Sequence, residues 1–235
     1  MSLSLRNFER ICFFTGAGLS AESGVPTYRG KGGMWSQYNY EEYACQEAFD
    51  RNPEKVWDFH NARREVVAGC DPNRAHRLIA DIKREKPGTS IITQNIDGLL
   101  QRAGATDVIE LHGSLWRVRC PCDGSKVENF DVPFVASKCS CGDDWRPDIV
   151  WFGDMLDEGT MLRAQEALAE CDCIVSIGTS GVVYPAAVLP QIAVQIGATS
   201  IEINPEETAV SQLYEHCLRG PASEMLERLW NDSSA

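Results

Sequence analysis

The sequence predicts a doubly wound α/β protein, with helices on both faces of a parallel sheet and a small module inserted into it. Three observations carry this. Five short apolar runs, rich in β-branched and aromatic residues, each end in Gly, Ser, Thr or Asn or a polar neighbour; segments with helical spacing lie between them; and two stretches break that rhythm. Strands that alternate with helices are joined by crossovers, which build a parallel sheet covered on both sides.

In chain order, Ile11-Cys-Phe-Phe14 is the first strand, and residues 53–68 form a helix with Pro53 in its first turn, where a missing N–H is harmless. Residues 73–84 give a second helix. Ser90-Ile-Ile-Thr93 and Val108-Ile-Glu-Leu111 are the next two strands. Residues 160–170 are helical, Cys173-Ile-Val-Ser-Ile177 is a strand, and residues 185–196 are a helix opened by Pro185. Ser200-Ile-Glu-Ile203 completes the set, and residues 221–230 form a last helix opened by Pro221. The rhythm fails from Gly16 to about Cys70 and again from about Arg117 to Arg146. The large part is thus expected at about 5–35, 71–116 and 147–235, and the small module at about 36–70 and 117–146, with a cleft between.

A chain of 235 residues with 43% hydrophobic content can bury a substantial core, which excludes disorder and fibrous architectures. Its net charge of −12 repels phosphate backbones and anionic lipid, so neither nucleic acid nor a membrane is an expected partner. No apolar run reaches the ~20 residues of a membrane span, and a cytoplasmic location is expected. Nine acids against two arginines lie between Asp143 and Asp172, whereas residues 51–86 hold nine bases against six acids. Of ten cysteines, Cys12, Cys171 and Cys173 sit in or beside apolar runs and read as small hydrophobes.

The motifs that carry chemistry stand at strand exits. Gly16-Ala-Gly-Leu-Ser-Ala21 follows the first strand, a pattern that lets backbone approach a pyrophosphate. A hydride-transfer enzyme would show a second strand ending in an acid ~20 residues later, and Ser36-Gln-Tyr-Asn-Tyr-Glu-Glu42 does not read as one. Dinucleotide binding without hydride transfer is the consequence. Thr93-Gln-Asn-Ile-Asp97 places polar side chains at the carboxyl end of another strand, where open α/β sheets bind ligands. His112 follows the Val108 run and precedes a glycine, a position suited to a general base.

Taken in order, Gly16-Ala-Gly-Leu-Ser, Ser23-Gly-Val-Pro-Thr-Tyr-Arg29, Gln94-Asn-Ile-Asp97, His112-Gly-Ser114, Phe152-Gly-Asp154, Gly178-Thr-Ser180 and Asn204-Pro205 resemble the sirtuins over nearly the whole chain. Sirtuins are NAD-dependent protein-lysine deacylases, with a Rossmann-like domain and a small zinc-bearing module. The resemblance implies transfer of an acyl group from lysine to ADP-ribose with release of nicotinamide, acyl-lysine proteins as partners, and NAD as co-substrate. By it, His112 is the catalytic base, with Asn95 and Asp97 also catalytic. Gly16, Ala17, Gly18, Ser20, Tyr28, Arg29, Gln94, Asn95, Ile96, Asp97, Gly178, Thr179, Ser180, Asn204, Pro205, Glu206 and Ala222 match cofactor-binding positions. Val150, Trp151, Phe152 and Gly153 match a strand-like edge that pairs with the substrate peptide. Two other readings stay open at this point: an NAD glycohydrolase or ADP-ribosyltransferase on the same fold, and a non-catalytic NAD or ADP-ribose sensor.

Cys120-Pro-Cys122 and Cys139-Ser-Cys141, sixteen residues apart, suit a four-thiolate structural zinc. Sirtuins normally place two residues inside the first pair, where this chain has one. Trp57-Asp-Phe-His-Asn-Ala-Arg-Arg-Glu65 resembles the acyl-pocket segment of the class III branch, whose Tyr-x-x-Arg favours acidic acyl groups such as succinyl. Here those positions hold His60 and Arg63, three apart and on one helical face. Arg63 offers a planar fork to a carboxylate; its alternative partners are Asp58 and Glu65. An imidazole near its ordinary pKa of ~6.5 would gain charge as pH falls from 8, so the preference is expected to strengthen toward pH 6.5.

Overall fold

The computed structural model describes residues 3–28, 33, 39–135 and 137–231. Among these the strands are β1 (Ile11–Thr15), β2 (Ser90–Thr93), β3 (Val108–Glu110), β4 (Gly113–Arg119), β5 (Lys126–Glu128), β6 (Arg146–Ile149), β7 (Cys173–Ile177), β8 (Thr199–Asn204) and β9 (His216–Arg219). The helices are α1 (Gly18–Ala21), α2 (Tyr40–Tyr43), α3 (Gln46–Arg51), α4 (Pro53–Ala68), α5 (Arg74–Glu85), α6 (Leu99–Arg102), α7 (Glu158–Glu170), α8 (Pro190–Gln195) and α9 (Ala222–Asn231).

Six strands form one sheet in the order β3-β2-β1-β7-β8-β9, and every pairing is parallel. Side chains alternate across a strand, so Ile11 and Phe13 face one layer while Cys12 and Phe14 face the other. The first layer joins Ile91, Val175 and Ile201 to Ile79 and Ile82 of α5 and to Leu226 and Leu229 of α9. The second joins Ile92, Ile109 and Ile174 to Ala164 and Leu168 of α7 and Ala193 of α8. Cys12, Cys171 and Cys173 are buried in these layers, and burial pushes all three thiols up, as small hydrophobes require. None of the helices is long and apolar enough to cross a membrane among the described residues.

A second, antiparallel sheet has the order β5-β4-β6. Its core is distinct: Ala48, Phe49, Val56 and Trp57 of α3 and α4 pack with Leu115, Val118, Phe134, Ile149 and Trp151. Arg64 bolts the two halves of this module together. Its Nε donates to Leu115 O at 2.8 Å and its Nη1 to Asn129 Oδ1 at 2.7 Å, inside a cage of Trp57, Trp116 and Phe134. Burial brings this guanidinium down to about 10, still charged at neutral pH.

The expected helix at 185–196 is divided. A 3-10 turn (Ala186–Val188) precedes α8, and Pro190 occupies the first turn of α8 in place of the role expected for Pro185. The cause is chemical: Pro190 has no N–H to bond back to residue 186, so a continuous helix cannot pass it.

Candidate active site at the sheet's carboxyl edge

The exits of five parallel strands meet at the point where the order reverses between β1 and β7. Gly16 N–H bonds Ile177 O at 2.9 Å and Gly18 N–H bonds Gly178 O at 2.8 Å. A Cβ on Gly18 would lie 2.6 Å from Gly178 Cα, and one on Gly16 would lie 2.7 Å from Gly178 O. Gly178 has φ +62° and would meet Leu19 N at 2.4 Å. These glycines therefore let two loops interlock, a packing demand beyond the approach to phosphate that the motif alone implied.

From β2, Asn95 Nδ2 donates to Gly16 O at 3.0 Å and to Ser20 Oγ at 3.3 Å, and Gln94 Nε2 donates to Thr179 Oγ1 at 3.0 Å. From β8, Asn204 Nδ2 donates to Thr179 O at 3.0 Å. His112, at the exit of β3, has Nδ1 3.0 Å from Gln94 O. A carbonyl can only accept, so Nδ1 carries the hydrogen and the neutral ring keeps its lone pair on Nε2.

Behind this wall runs a relay that sequence reasoning missed. Asn73 N–H donates to His76 Nδ1 at 3.3 Å, which leaves the hydrogen on Nε2, 3.2 Å from Ser20 Oγ. Ser20 in turn donates to Asp97 Oδ2 at 2.7 Å, and Leu99 N–H donates to Asp97 Oδ1 at 2.9 Å. Burial lowers His76 to about 4, so it is neutral, and burial raises the Asp97 carboxyl against the bonds from Leu99 and Ser20. The available signal was Asn73-x-x-His76, whose capping box fixes both the helix start and the imidazole tautomer.

A cavity of about 280 Å³ lies in front. It brings together Gly16, Ala17, Tyr28, Gln94, Asn95, Ile96, His112, Thr179 and Ser180 with His60, Arg63, Val150, Trp151, Phe152 and Gly153. Gly18, Ser20, Asp97 and Gly178 form the layer behind it, and Asn204, Pro205 and Glu206 stand at the β8 exit. Ala222 begins α9 with its side chain in the main core. Arg29 lies outside the described residues.

Both α4 residues reach this cavity, yet not as the sequence implied. Arg63 Nη2 donates to the Tyr28 hydroxyl and its guanidinium lies 4.7 Å from the Tyr28 ring centroid, with neither Asp58 nor Glu65 bonded to it. His60 is 1% exposed and accepts from Trp151 Nε1 at 3.3 Å. Burial first, then Arg63 and Arg146, hold its pKa well below 6.5. The ring stays neutral between pH 8 and 6.5, which corrects the expected rise in preference toward low pH.

Residues 150–153 follow β6 as an irregular segment that turns at Phe152 and Gly153, and they are not a regular strand. Gly153 has φ +90°, and Trp151 N–H donates to Asp154 Oδ2 at 3.1 Å. Val150 N–H and Phe152 N–H bond His112 O and Ala44 O, each at 3.0 Å. A peptide pairing here would therefore donate its own N–H groups to carbonyls of this segment, of which that of Trp151 already accepts from Asp154 N–H at 3.0 Å.

Three of the four paired cysteines come together, and the fourth stands beside them. Cys120, Cys139 and Cys141 have their sulfurs within 4.8 Å of one another, and Cys122 joins Cys141 and Asp143 in an overlapping group. Each pair sits in a turn closed by glycine: Gly124 N–H bonds Cys120 O at 3.1 Å, and Gly142 N–H bonds Cys139 O at 3.0 Å. Gly124 at φ +72° closes a four-residue step back to Cys120 and Gly142 at +95° a three-residue step back to Cys139, so a left-handed glycine ends each one-spacer pair. The donor set fits a structural zinc.

The sequence pattern of the Sir2 family matches residues 16–185. The chain belongs to the Sir2 family. It is 44% identical to the NAD-dependent protein deacylase of Aquifex aeolicus over 224 residues, covering 94% of each chain. A solved Sir2 homologue in complex with NAD superposes with a TM-score of 0.88 at 44% identity, covering 94% of this chain and 88% of that one. A Sir2 variant bound to deacetylated p53 peptide and 3'-O-acetyl ADP-ribose gives 0.86 at 31% identity, covering 96% and 94%.

Proposed function

We propose that this Sir2 chain is an NAD-dependent protein-lysine deacylase whose acyl pocket favours acidic acyl groups. The observation that carries the reading is His112: its Nδ1–H is committed to Gln94 O at 3.0 Å, and it lines the same cavity as Asn95, Arg63 and residues 150–153. NAD supplies an electrophilic ribose carbon whose bond to nicotinamide can be exchanged for one to the acyl oxygen. His112 Nε2 then takes a proton from a ribose hydroxyl, whose oxygen bonds the acyl carbon; the lysine amine leaves and water enters, so that nicotinamide, free lysine and acyl-ADP-ribose account for all the atoms. Asn95 spends its amide nitrogen on Gly16 O and Ser20 Oγ, which turns its Oδ1 to the role of acceptor. The Ser20–His76–Asp97 relay fixes the wall from behind. A zinc held by Cys120, Cys122, Cys139 and Cys141 would be structural, since four protein ligands leave no position for water.

Arg63 supports the acidic-acyl preference. It is 9% exposed, and among the described residues no carboxylate lies within ion-pair distance; its bonded partner is the neutral Tyr28 hydroxyl. Asp97 acts on the guanidinium through space without bonding to it, and a substrate carboxylate would give it a direct ion pair. His60, held neutral by burial, lines the pocket and adds no charge to it.

Incubation with NAD and a succinyl-lysine peptide, read by mass spectrometry, tests the activity. Acyl-ADP-ribose with free lysine is the expected product pair. Plain ADP-ribose with intact peptide would make the enzyme a glycohydrolase, and no turnover would leave a nucleotide sensor.

A further inference from the structure

Arg146 is 1% exposed and does not line the cavity, although its charge helps to hold the His60 pKa down. Its Nη2 donates to Asp154 Oδ2 at 2.8 Å and to Ile149 O at 3.0 Å, and its Nη1 donates to Gln46 Oε1. The guanidinium carbon lies 3.6 Å from the centroid of the Trp151 ring. Asp154 Oδ2 also accepts from Trp151 N–H at 3.1 Å and from Arg119 Nη2 at 3.4 Å. Trp151 is thus held at three points: its backbone by Asp154, its ring face by Arg146, and its indole N–H by His60 Nε2 at 3.3 Å.

We propose that Arg146 and Asp154 are positioning residues for the acylated substrate, holding Trp151 so that residues 150–153 and the His60 end of the acyl pocket keep one fixed relation. The inference rests on reading residues 150–153 as the segment that receives the peptide. Two physical points carry it. First, a buried ion pair is seldom the most stabilising way to fill a core, and an apolar pair of the same volume often does better. What this pair supplies is geometry: an arginine fork is planar and rigid, so it can stack on an indole while donating in its own plane. Second, the pair reaches the site from both directions, through the backbone of Trp151 to the peptide segment and through its side chain to His60. Without the Trp151 N–H on its Nε2, the His60 ring loses the bond that ties this wall of the acyl pocket to residues 150–153.

The test uses the full chain with Arg146→Lys, Arg146→Met and Asp154→Asn, assayed with NAD and with acetyl- and succinyl-lysine peptides, and checked by thermal unfolding. Arg146→Met should raise the peptide KM about tenfold or more, with the KM for NAD within about twofold and kcat within about threefold. Arg146→Lys should fall between wild type and Met, because it keeps charge and loses the fork. Asp154→Asn should raise the peptide KM as well, and each variant should change the succinyl-to-acetyl ratio. Should Arg146→Met not fold, the other two variants decide. A folded Arg146→Lys and Asp154→Asn with peptide KM within twofold of wild type overturns the proposal. So does a parallel rise in the KM for both substrates, which is the mark of a general structural loss. A peptide methylated on the backbone nitrogens beside its acyl-lysine separates this result from the reading beneath it. Because the N–H groups of Val150, Trp151 and Phe152 have internal partners, the peptide's N–H groups must do the donating. Full activity of wild type on the methylated peptide would overturn the peptide-segment reading itself. Weak activity there, beside variants that behave as wild type, overturns the positioning role alone.

Discussion

Replacing Arg63 by methionine keeps most of the side chain's volume and removes a guanidinium that is 9% exposed in the cavity wall. A hydrogen bond to a charged partner contributes ~1.5–3 kcal/mol, which corresponds to about 10- to 150-fold. Tyr28 occupies one Arg63 nitrogen, and an arginine has five N–H donors, so a carboxylate can be paired without displacing the phenol. The expected loss is therefore the full range, read as the ratio of kcat/KM for succinyl-lysine to that for acetyl-lysine. The ratio cancels any titration shared by the two reactions, His112 included. It should be flat between pH 8 and 6.5, because His60 is held neutral by burial and by Arg63 and Arg146, and its protonation is fully developed only well below 6.5. The substrate carboxylate is ionised throughout that window. A wild-type ratio near one removes the acidic-acyl reading. A ratio that survives Arg63→Met means that another group holds the carboxylate, and a ratio that climbs toward pH 6.5 means that His60 does gain a proton there.

His112→Ala should lower kcat about 10²- to 10⁴-fold with the melting temperature little changed, and near-normal turnover would remove its role as base. Freshly purified protein should hold one zinc per chain by metal analysis, and Cys139→Ser should reduce both zinc content and thermal stability, since metal binding is also folding free energy; a zinc-free yet equally stable protein contradicts this. Glu202, fully buried, accepts from Thr208 at 2.6 Å and from Arg219 at 2.6 Å, and so ties the segment after β8 in place. Burial alone would raise its carboxyl, but the bonds from Ser211, Thr208 and Arg219 outweigh it and hold the pKa below its ordinary value. A depressed carboxyl stabilises the fold above its unfolded pKa of ~4.3, and that contribution is lost as pH falls through the folded value. The melting-temperature gap between wild type and Glu202→Gln should then be full at pH 7 and shrink as the solution is acidified below about 4.3; a gap independent of pH would show that charge is not what Glu202 contributes.

The strands plainest in the sequence are those buried on both faces, although the edge strand β3 was also marked by its short Val108–Leu111 run. β1, β2 and β7 are continuous apolar runs because helices cover both sides of the sheet, and the run itself is the signal. β9, the outer strand, is different: His216-Cys-Leu-Arg219 alternates between half-buried and exposed positions and carries no apolar run. β5 is wholly exposed and β6 is Arg-Pro-Asp-Ile, so the small sheet was invisible to a search for hydrophobicity. The same limit governs the site. Gln94, Asn95 and His112 stand at strand exits and could be picked out by position. His76 lies mid-sequence in an amphipathic helix, and its part in the site depends on α5 bringing it to Ser20, 56 residues away. Trp151 shows the limit from the other side. Its place in the motif was legible, but its bond to His60 Nε2, 91 residues distant, is a long-range contact that no local pattern announces.

The interlock of Gly16 and Gly18 with Gly178 has a consequence for how binding competence arises. The floor of the cavity belongs to neither half of the sheet. One side comes from the turn after β1 and the other from the turn after β7, 162 residues later, since Gly16 and Gly178 are that far apart in the chain. A nascent chain that has made everything up to α7 already owns His112, Asn95 and Arg63, but the loop bearing Gly16 still has nothing to close against. Nucleotide affinity should therefore appear late and all at once, when β7 docks beside β1, and a fragment ending before Cys173 should carry the reactive side chains without a seat for the molecule they act upon.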